Sequence, residues 1–369
     1  MVDAIACTLS ASRSLSVTVA RFSVSPALGG AERPLRKCGA RYCLLGRITQ
    51  AGRRLRVILR LLDAASEHHL WGDSYDGEVT DPLGLQDRVT EGALRSILPN
   101  IRGAEIELAR RKLTQDLDAY GLTMRAFSLA FGTNSDAAKQ ALDLLAHAME
   151  IDPDYALPAA LAAWCHAQLV TYHGTPAPAK EKEEALRLAH RASVLEVDGD
   201  SLVITARCAV HTMMNDLDTA DALLKRALAL DPTSAWAWER SGWLKTYLGE
   251  SELAIQHFGN AIRLAPARCH NAHRFIGIGS AYFEAGHYDQ AVRRKRQAVL
   301  EQPGIGWVNR TLAVSYARLG ERIAALDSLK ALQRCVPDVT ISQVVSAIPF
   351  TEDFLGRVAE GLNDLGLPA

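Results

Sequence analysis

A period of about 34 residues is the feature of this sequence that most constrains its fold. Four segments each read as an amphipathic helix that ends at a proline: 222–232, 254–266, 291–303 and 325–337. The four prolines lie 34, 37 and 34 residues apart, and four alanines keep the same spacing: Ala220, Ala254, Ala291 and Ala325. Because a unit of this length cannot bury its own apolar face, the period predicts helical hairpins stacked into a solenoid.

Small residues in register indicate how these hairpins pack. Helices that cross closely need small side chains at the crossing, because a larger one would hold the helix axes apart. Glycines at 249, 286 and 320 fall between the paired helices, where a helix C-cap takes the left-handed conformation. The small residues expected at the crossings are Gly242 and Gly279 on the first helices, and Ala254, Ala261, Ala291 and Ala298 on the second helices.

This pattern resembles the tetratricopeptide repeat family over roughly residues 118–338. Two weaker repeats cover 122–155 and a unit beginning near Ala156, which is interrupted around 171–180 by the sequence TYHGTPAPAK. We expect this insertion to loosen the solenoid locally. About six repeats are predicted in 113–340, followed by a capping helix and tail in 341–369. The four clear repeats are 201–234, 235–268, 272–305 and 306–339.

The first 112 residues do not share the period and predict a small α/β domain. Apolar residues alternate with arginine on both sides of a tight turn at Ala51 and Gly52, which predicts a β-hairpin. The predicted fold class is therefore α-dominated, with an N-terminal α/β domain followed by an all-α superhelical solenoid. The predicted elements are helices at 3–12 and 32–38, strands at 15–23, 42–50, 54–64 and 69–75, and a helix at 83–98 stopped by Pro99.

Residues 39–87 resemble the TolB amino-terminal-like domain that precedes tetratricopeptide repeats in many bacterial signalling proteins. Family members begin this domain with an additional strand, so the resemblance implies that the first strand is missing. We expect either that the chain is the downstream part of a longer reading frame or that another element covers the sheet edge. Such halves follow a class III adenylate/guanylate cyclase domain or a winged-helix DNA-binding domain, and neither is present here. The residues that carry the resemblance are Gly46, Arg56, Val57, Leu70, Trp71, Tyr75 and Asp76, with the ending GLNDLGLPA.

Composition and charge limit the class of protein. Hydrophobic residues make up 48% and charged residues 22%, which is typical of a folded globular chain. No uncharged apolar run is long enough to span a bilayer, and no secretory signal is recognisable, so we expect a cytoplasmic protein. Residues 1–60 hold eleven Lys/Arg and two Asp/Glu. This basic end suggests either an acidic partner or a solvated arginine-rich sheet face.

The sequence carries no catalytic or phosphate-binding motif, so we expect no enzymatic activity and no cofactor. His68 and His69 lack a third ligand at a useful spacing, as does the group of Cys269, His270 and His273, so no metal site is predicted. The basic run at 293–296 is spread around its helix and is expected on a solvated convex face.

The resemblance to tetratricopeptide repeats implies a concave groove lined by the first helix of each repeat. Tryptophan, tyrosine and arginine, the residue types that anchor interfaces best, recur at those positions. The alternative is that several of these aromatic residues form the core between repeats. The Lys and Asn set by which some family members hold a terminal carboxylate is not reproduced. The predicted groove residues are Trp236, Glu239, Arg240, Trp243, Tyr247, His273, Trp307, Arg310 and Arg318.

Three functions fit these observations. The first is a non-catalytic interaction and signalling module that binds a partner peptide or protein in the groove. The second is the regulatory half of a class III adenylate/guanylate cyclase. The third is the accessory half of a winged-helix transcription regulator, in which the basic N-terminal face contacts nucleic acid, although we do not expect nucleic acid to be the main partner.

Overall fold

The computed structural model describes residues 5–6, 17–19, 39–132, 134–196, 199–265, 271–347 and 349–369. The chain divides into two compact units, Met1–Arg111 and Lys112–Ala369. The predicted fold class is confirmed, because a small unit with a three-stranded antiparallel sheet precedes a helical solenoid of the tetratricopeptide type. The three elements predicted before residue 39 lie outside the described residues, except for 5–6 and 17–19.

The sheet of the first unit consists of β1 (Tyr42–Ala51), β2 (Arg54–Asp63) and β3 (His69–Glu78) in the order β1-β2-β3. Ala51 pairs with Arg54, so the two turn residues are Gly52 and Arg53, one position later than predicted. Gly52 has φ of +59°, which a two-residue hairpin turn requires and glycine adopts without strain. β3 also runs three residues beyond its predicted end.

A single long helix, α1 (Pro82–Arg111), packs on this sheet. Its residues Leu85, Val89, Ala93 and Ile97 recur on one helical face and are buried against Val57, Leu59 and Leu61 of β2. These side chains form the core of the unit.

The prediction that this helix stops at Pro99 is wrong. Proline removes one backbone N–H donor from the helix. Within the turn that contains the proline, the Asn100 side-chain amide donates to the Ser96 carbonyl oxygen at 2.7 Å. Buried residues continue beyond the proline to Ala109, so packing on both sides sustains the helix.

The second unit is a succession of helical hairpins. Among its described residues, six pairs of adjacent antiparallel helices follow one another. The first three pairs are α2 (Ala119–Leu129) with α3 (Ser135–Ile151), α4 (Ala156–Thr171) with α5 (Pro178–Leu195), and α6 (Ser201–Met213) with α7 (Leu217–Leu230). The next three are α8 (Ala235–Tyr247) with α9 (Ser251–Leu264), α10 (Ala272–Glu284) with α11 (Tyr288–Glu301), and α12 (Asn309–Arg318) with α13 (Arg322–Cys335).

The turns of the last four hairpins share one hydrogen-bond pattern. The amides of Asp216, Glu250, His287 and Glu321 donate to the carbonyl oxygen five residues earlier at 2.8–2.9 Å. The residue before each donor has a positive φ, as the Schellman cap requires. Three of these four residues are the predicted glycines, which confirms their role: Asn215 (62°), Gly249 (76°), Gly286 (77°) and Gly320 (78°).

Small residues allow large side chains to enter between the helices. The Phe258 ring of α9 lies between Gly242 of α8 and Gly277 of α10, and a Cβ added at Gly277 would lie 2.1 Å from Phe258 Cζ. This close approach joins the fourth and fifth hairpins. The alanines predicted at helix crossings are fully buried: Ala254, Ala261, Ala291 and Ala298.

The expectation of a solvated basic run at 293–296 is wrong for Lys295. Arg293, Arg294 and Arg296 are exposed, whereas Lys295 of α11 is fully buried against Gly279 and has its Nζ 5.0 Å from the centroid of the Phe283 ring. The helix turns one of four consecutive side chains inward, and the absence of a Cβ at Gly279 leaves room for its aliphatic stem.

Two further helices, α14 (Ile341–Ser346) and α15 (Glu352–Asp364), follow the last hairpin. Phe354, Val358 and Leu362 of α15 are fully buried in a core shared with α12. Arg357 donates from Nη1 to the Phe283 carbonyl oxygen at 2.9 Å. None of the helices in the described part of the chain is both long enough and apolar enough to cross a membrane.

Candidate partner-binding surface of the helical unit

The nine predicted groove residues lie on three helices and one turn. Five belong to α8, His273 to α10, and Arg310 and Arg318 to α12, whereas Trp307 lies in the 3-10 turn Gly306–Val308 that precedes α12. In the described conformation, six of the nine are less than a tenth exposed: Trp236, Glu239, Arg240, Trp243, Tyr247 and Arg310.

Trp236 belongs to an aromatic assembly from three hairpins. Its ring meets those of Phe131 and Trp164 edge to face, with centroids 5.0 and 6.0 Å apart. The Arg240 guanidinium lies 4.9 Å from the Trp164 ring centroid. Edge-to-face packing and a cation over an indole are both favourable geometries, so this assembly fixes α8 against α2 and α4.

A second assembly, here named the inner cluster, is built around Tyr172, which follows α4. The Tyr172 ring stacks on Trp307 with centroids 4.5 Å apart and an interplanar angle of 17°. His273 meets both rings edge to face at 6.2 and 5.7 Å. The inner cluster therefore joins hairpins that are distant in the sequence, and its members are Tyr172, Arg240, Trp243, Tyr247, His273, Trp307 and Arg310.

Positive charge exceeds negative charge in and around this cluster. Glu239 accepts from Arg240 Nη2 at 2.7 Å and lies 3.2 Å from Arg274 Nε. Burial alone would raise the pKa of Glu239, but the two guanidinium groups hold that pKa below its usual value. The Glu239 carboxylate thus pairs with both Arg240 and Arg274, and Arg310 adds a third positive charge.

Among the described residues, no carboxylate pairs with Arg310. Its Nη1 donates to the Thr171 carbonyl oxygen at 2.6 Å, at the C-terminal end of α4, where the helix dipole supplies partial negative charge. Burial lowers the pKa of Arg310 to about 10, so the group remains charged at neutral pH.

Several buried donors of this region have no hydrogen-bond partner in the described part of the chain. They include the indole Nε1 atoms of Trp236 and Trp243 and the Nε atoms of Arg240 and Arg310. Buried donors in native proteins are normally satisfied, because an unpaired donor loses its bonds to water without replacement. Each of the four requires an acceptor, which an ordered water molecule or an acceptor-rich ligand supplies.

The neighbouring histidines are neutral. Burial, together with the positive charge of Arg310, lowers the pKa of His173 to about 4. Burial also lowers the pKa of His273 to about 4, against the opposing effect of Glu239. Neither histidine therefore adds positive charge near neutral pH.

Arg318 is not part of the inner cluster, and of the residues considered as metal ligands only His273 belongs to it. Arg318 is exposed at the end of α12 and forms an ion pair with Glu360 of α15. His68 and His69 are exposed, and the described residues contain no group of three or more side chains that could hold a metal ion. Cys269 and His270 lie outside the described residues.

Sequence reasoning missed the residues that fill the inner side. Tyr172 and His173 lie in the insertion that was expected to loosen the solenoid, yet Tyr172 is only 4% exposed and is held by contacts with later hairpins. Phe350, after α14, meets Tyr247 edge to face at 4.7 Å. The available signal was the Tyr-His pair inside an otherwise small and polar insertion.

The chain is similar to known proteins over parts of its length. No protein-family model matches the sequence. The curated protein "Putative adenylate cyclase 3" of Rhizobium meliloti (strain 1021) is 29% identical over 121 residues, which cover 33% of this chain and 21% of that protein. The matched region thus spans about a fifth of the relative's length.

Solved helical-repeat structures are similar at low sequence identity. The Cut9–Hcn1 hetero-tetramer of the APC/C superposes with a TM-score of 0.47 at 17% identity, covering 72% of this chain and 46% of that one. YrrB, described as a TPR protein with an unusual peptide-binding site, gives a TM-score of 0.33 at 19% identity, covering 55% of this chain and 96% of that one.

Proposed function

We propose that this protein is a non-catalytic interaction module whose helical unit binds a segment of a partner protein on its inner side. The observation that carries the proposal is the convergence of Trp236, Trp243, Arg240 and Arg310 on one side of the stacked hairpins, with donors left unpaired. Tryptophan and arginine are the side chains that most often dominate binding energy in protein interfaces. Of the side chains predicted as the groove, we assign all except Arg318 to partner binding.

In this proposal the α/β unit docks on a second component in a signalling assembly of the cytoplasm. One face of its sheet carries the arginines of β2, and Arg56 forms an exposed pair with Asp76 of β3 at 2.6 Å. We assign 1–112 to a TolB-like domain without its first strand, 113–340 to tetratricopeptide-like repeats and 341–369 to a C-terminal cap.

The test is affinity capture with the full-length chain and two matched variants. The groove variant carries Trp307→Leu and Arg310→Leu, which remove an aromatic anchor and a buried charge. The control carries Arg293→Leu on α11, where the side chain is 78% exposed. Circular dichroism and thermal unfolding establish that all three chains fold.

The amount of partner recovered with the groove variant should be at least about tenfold lower than with the wild type, as expected for interface anchors. The control should recover them within about twofold of the wild type, as expected for an exposed side chain. Equal recovery by the wild type and the groove variant would show that partners bind elsewhere.

A second candidate is the regulatory half of a class III adenylate/guanylate cyclase. The observation that favours it is the partial similarity to "Putative adenylate cyclase 3". Its test is the cyclase activity of a class III catalytic domain joined upstream of this chain, compared with the same domain alone. Regulation requires the chain to change that activity, and the groove variant to change it differently from the Arg293→Leu control. Identical activity in all forms would exclude this candidate.

A further inference from the structure

Residues 171–174, which are the last residue of α4 and the three that follow it, contact later hairpins and are here named the bridging segment. The Thr171 carbonyl oxygen accepts from Arg310, and the Tyr172 ring lies on Trp307. A Cβ added at Gly174 would lie 3.1 Å from Val336 Cγ1, beyond the last helix of the sixth hairpin. The bridging segment of the second hairpin therefore makes side-chain and main-chain contacts with the fifth and sixth.

The connection that contains this segment is longer than the joining of two helices requires. Residues 172–177 connect α4 to α5, whereas three residues connect α6 to α7. Residues 176–180 are exposed. The amides of His173 and Thr175 donate to the carbonyl oxygens of Gln168 and Leu169 at 3.3 and 3.2 Å. The connection thus combines two exposed residues, 176 and 177, with a buried tyrosine that packs against later hairpins.

The positive charge of the inner cluster exceeds the negative charge that the bridging segment supplies. A carbonyl group and the end of a helix carry only partial negative charge. Arg310 therefore keeps much of its positive charge uncompensated in a buried position, which is unfavourable for an ion. A carboxylate at the place of the Thr171 carbonyl would give a charge-assisted bond that Arg can form in bidentate geometry. The unpaired Trp236 and Trp243 indole N–H groups are further donors on the same side.

We infer that the inner cluster is a receptor for an extended protein segment carrying an acidic residue followed by an aromatic one, and that the bridging segment occupies this receptor until such a partner displaces it. The aromatic ring takes the position of Tyr172 on Trp307, and the carboxylate pairs with Arg310. The inference rests on the proposed function and names the chemistry of its partner. The arginine excess selects an acidic segment, and the stacking site selects an aromatic ring.

The test uses fluorescein-labelled synthetic peptides and the full-length chain. The probe is Gly-Ser-Asp-Tyr-Gly-Ser, and the matched peptides replace Asp by Asn or Tyr by Ala. Binding is measured by fluorescence anisotropy for the wild type, Arg310→Leu, Tyr172→Ala and Arg293→Leu.

The wild type should bind the Asp-Tyr peptide at least about tenfold more tightly than either matched peptide, because a charged hydrogen bond and a stacked ring are each lost. Arg310→Leu should bind the Asp and Asn peptides equally. Tyr172→Ala should bind the Asp-Tyr peptide about tenfold more tightly than the wild type, since no internal ring competes. Arg293→Leu should behave as the wild type.

Hydrogen exchange of the wild type provides a measurement that does not depend on the folding of Tyr172→Ala. Saturating Asp-Tyr peptide should accelerate exchange at the His173 and Thr175 amides, because displacement opens their hydrogen bonds. Unchanged protection in the bound state would overturn the inference, as would a wild type that does not distinguish Asp from Asn. The inference would also be overturned if a single-stranded oligonucleotide bound to the wild type more tightly than the Asp-Tyr peptide does.

The two proposals can fail separately. If no peptide binds while affinity capture still depends on Trp307 and Arg310, the inferred partner chemistry is wrong and the inner side remains a binding surface. If capture is also independent of those residues, the proposed function fails with it.

Discussion

Arg310 donates a hydrogen bond of 2.6 Å from Nη1 to the main-chain carbonyl oxygen of Thr171, a residue 139 positions earlier in the chain. In a solenoid each hairpin normally contacts only its neighbours. This bond joins the first helix of the sixth hairpin to the end of the first helix of the second, so the inner side is closed by a contact that the repeat pattern does not require.

Replacing each of two buried arginines of the inner cluster by leucine should change the free energy of unfolding by different amounts. Arg310 has no carboxylate partner in the described part of the chain, so Arg310→Leu should change the free energy of unfolding by less than about 1 kcal/mol. Arg240 is one of two arginine partners of buried Glu239, so Arg240→Leu should lower that free energy by about 1–3 kcal/mol. Urea unfolding measures both. A larger loss for Arg310→Leu than for Arg240→Leu would contradict this account of the charges.

Gly277→Ala should destabilise the helical unit. The added Cβ would lie 2.1 Å from Phe258 Cζ in a position where the ring is confined by two helices. Overpacking of this kind lowers the free energy of unfolding by about 1–3 kcal/mol. The control is Gly259→Ala on α9, where a Cβ meets open space and alanine favours the helix by about 1 kcal/mol. Thermal unfolding should therefore move in opposite directions for the two variants.

Lys295→Met should stabilise the helical unit by about 1–3 kcal/mol at neutral pH, because a buried amine without a hydrogen-bond partner is replaced by an apolar chain of similar length. Burial lowers the pKa of Lys295 well below its ordinary value of 10.5. The unfolded chain therefore binds an additional proton between the two pKa values, and stability rises with pH across that interval.

The measurement for Lys295 is the free energy of unfolding between pH 7 and pH 10. The wild type should gain stability relative to Lys295→Met as the pH rises, whereas exposed Arg294→Met should follow the wild type. A constant difference between the wild type and Lys295→Met would show that the amine is not held neutral.

The inner cluster should weaken in acid. His173 and His273 have pKa values lowered to about 4 from 6.5, so their contribution to stability is complete above pH 6.5 and is lost as the pH falls towards 4. A lowering of this size corresponds to about 3 kcal/mol for each histidine. The groups that face them are Arg310 and His273 for His173, and Glu239, Arg240 and Arg274 for His273.

Urea unfolding at pH 7 and pH 4.5 measures this effect. The variant with His173→Gln and His273→Gln should lose less stability between the two pH values than the wild type, and His287→Gln in an exposed turn should leave the loss unchanged. An equal loss in the wild type and the double variant would exclude these histidines as its source.

The sequence was informative where a contact repeats along the chain. The period located the hairpins of the second unit, and α7, α11 and α13 each end two residues before the proline expected to stop them. Gly249, Gly286 and Gly320 could be assigned to caps because the same turn recurs at the same place in each hairpin. The recurrence of the same residues at the same spacing therefore supported assignments that one segment alone could not support.

Structural features that occur only once in the chain could not be predicted from the repeat period. Pro99 remains inside α1 because buried residues pack on both sides of it, and this packing is not visible in local propensity. Tyr172 is buried through contacts with residues more than 100 positions away. The groove residues could equally have been core between repeats, and most of them are buried. Trp236 packs on Phe131 and Trp164, and Tyr247 packs on Phe350, through contacts that the repeat pattern does not reveal.

The most direct measurement is photo-crosslinking from the inner side. p-Benzoylphenylalanine replaces Trp307 in one full-length chain and exposed Arg293 in another, and each chain is irradiated in cells. A partner-binding inner side predicts crosslinked partner protein from position 307 and none from position 293. Crosslinking to the same partner from position 293 alone, or equally from both positions, would contradict the assignment of the inner side as the binding surface.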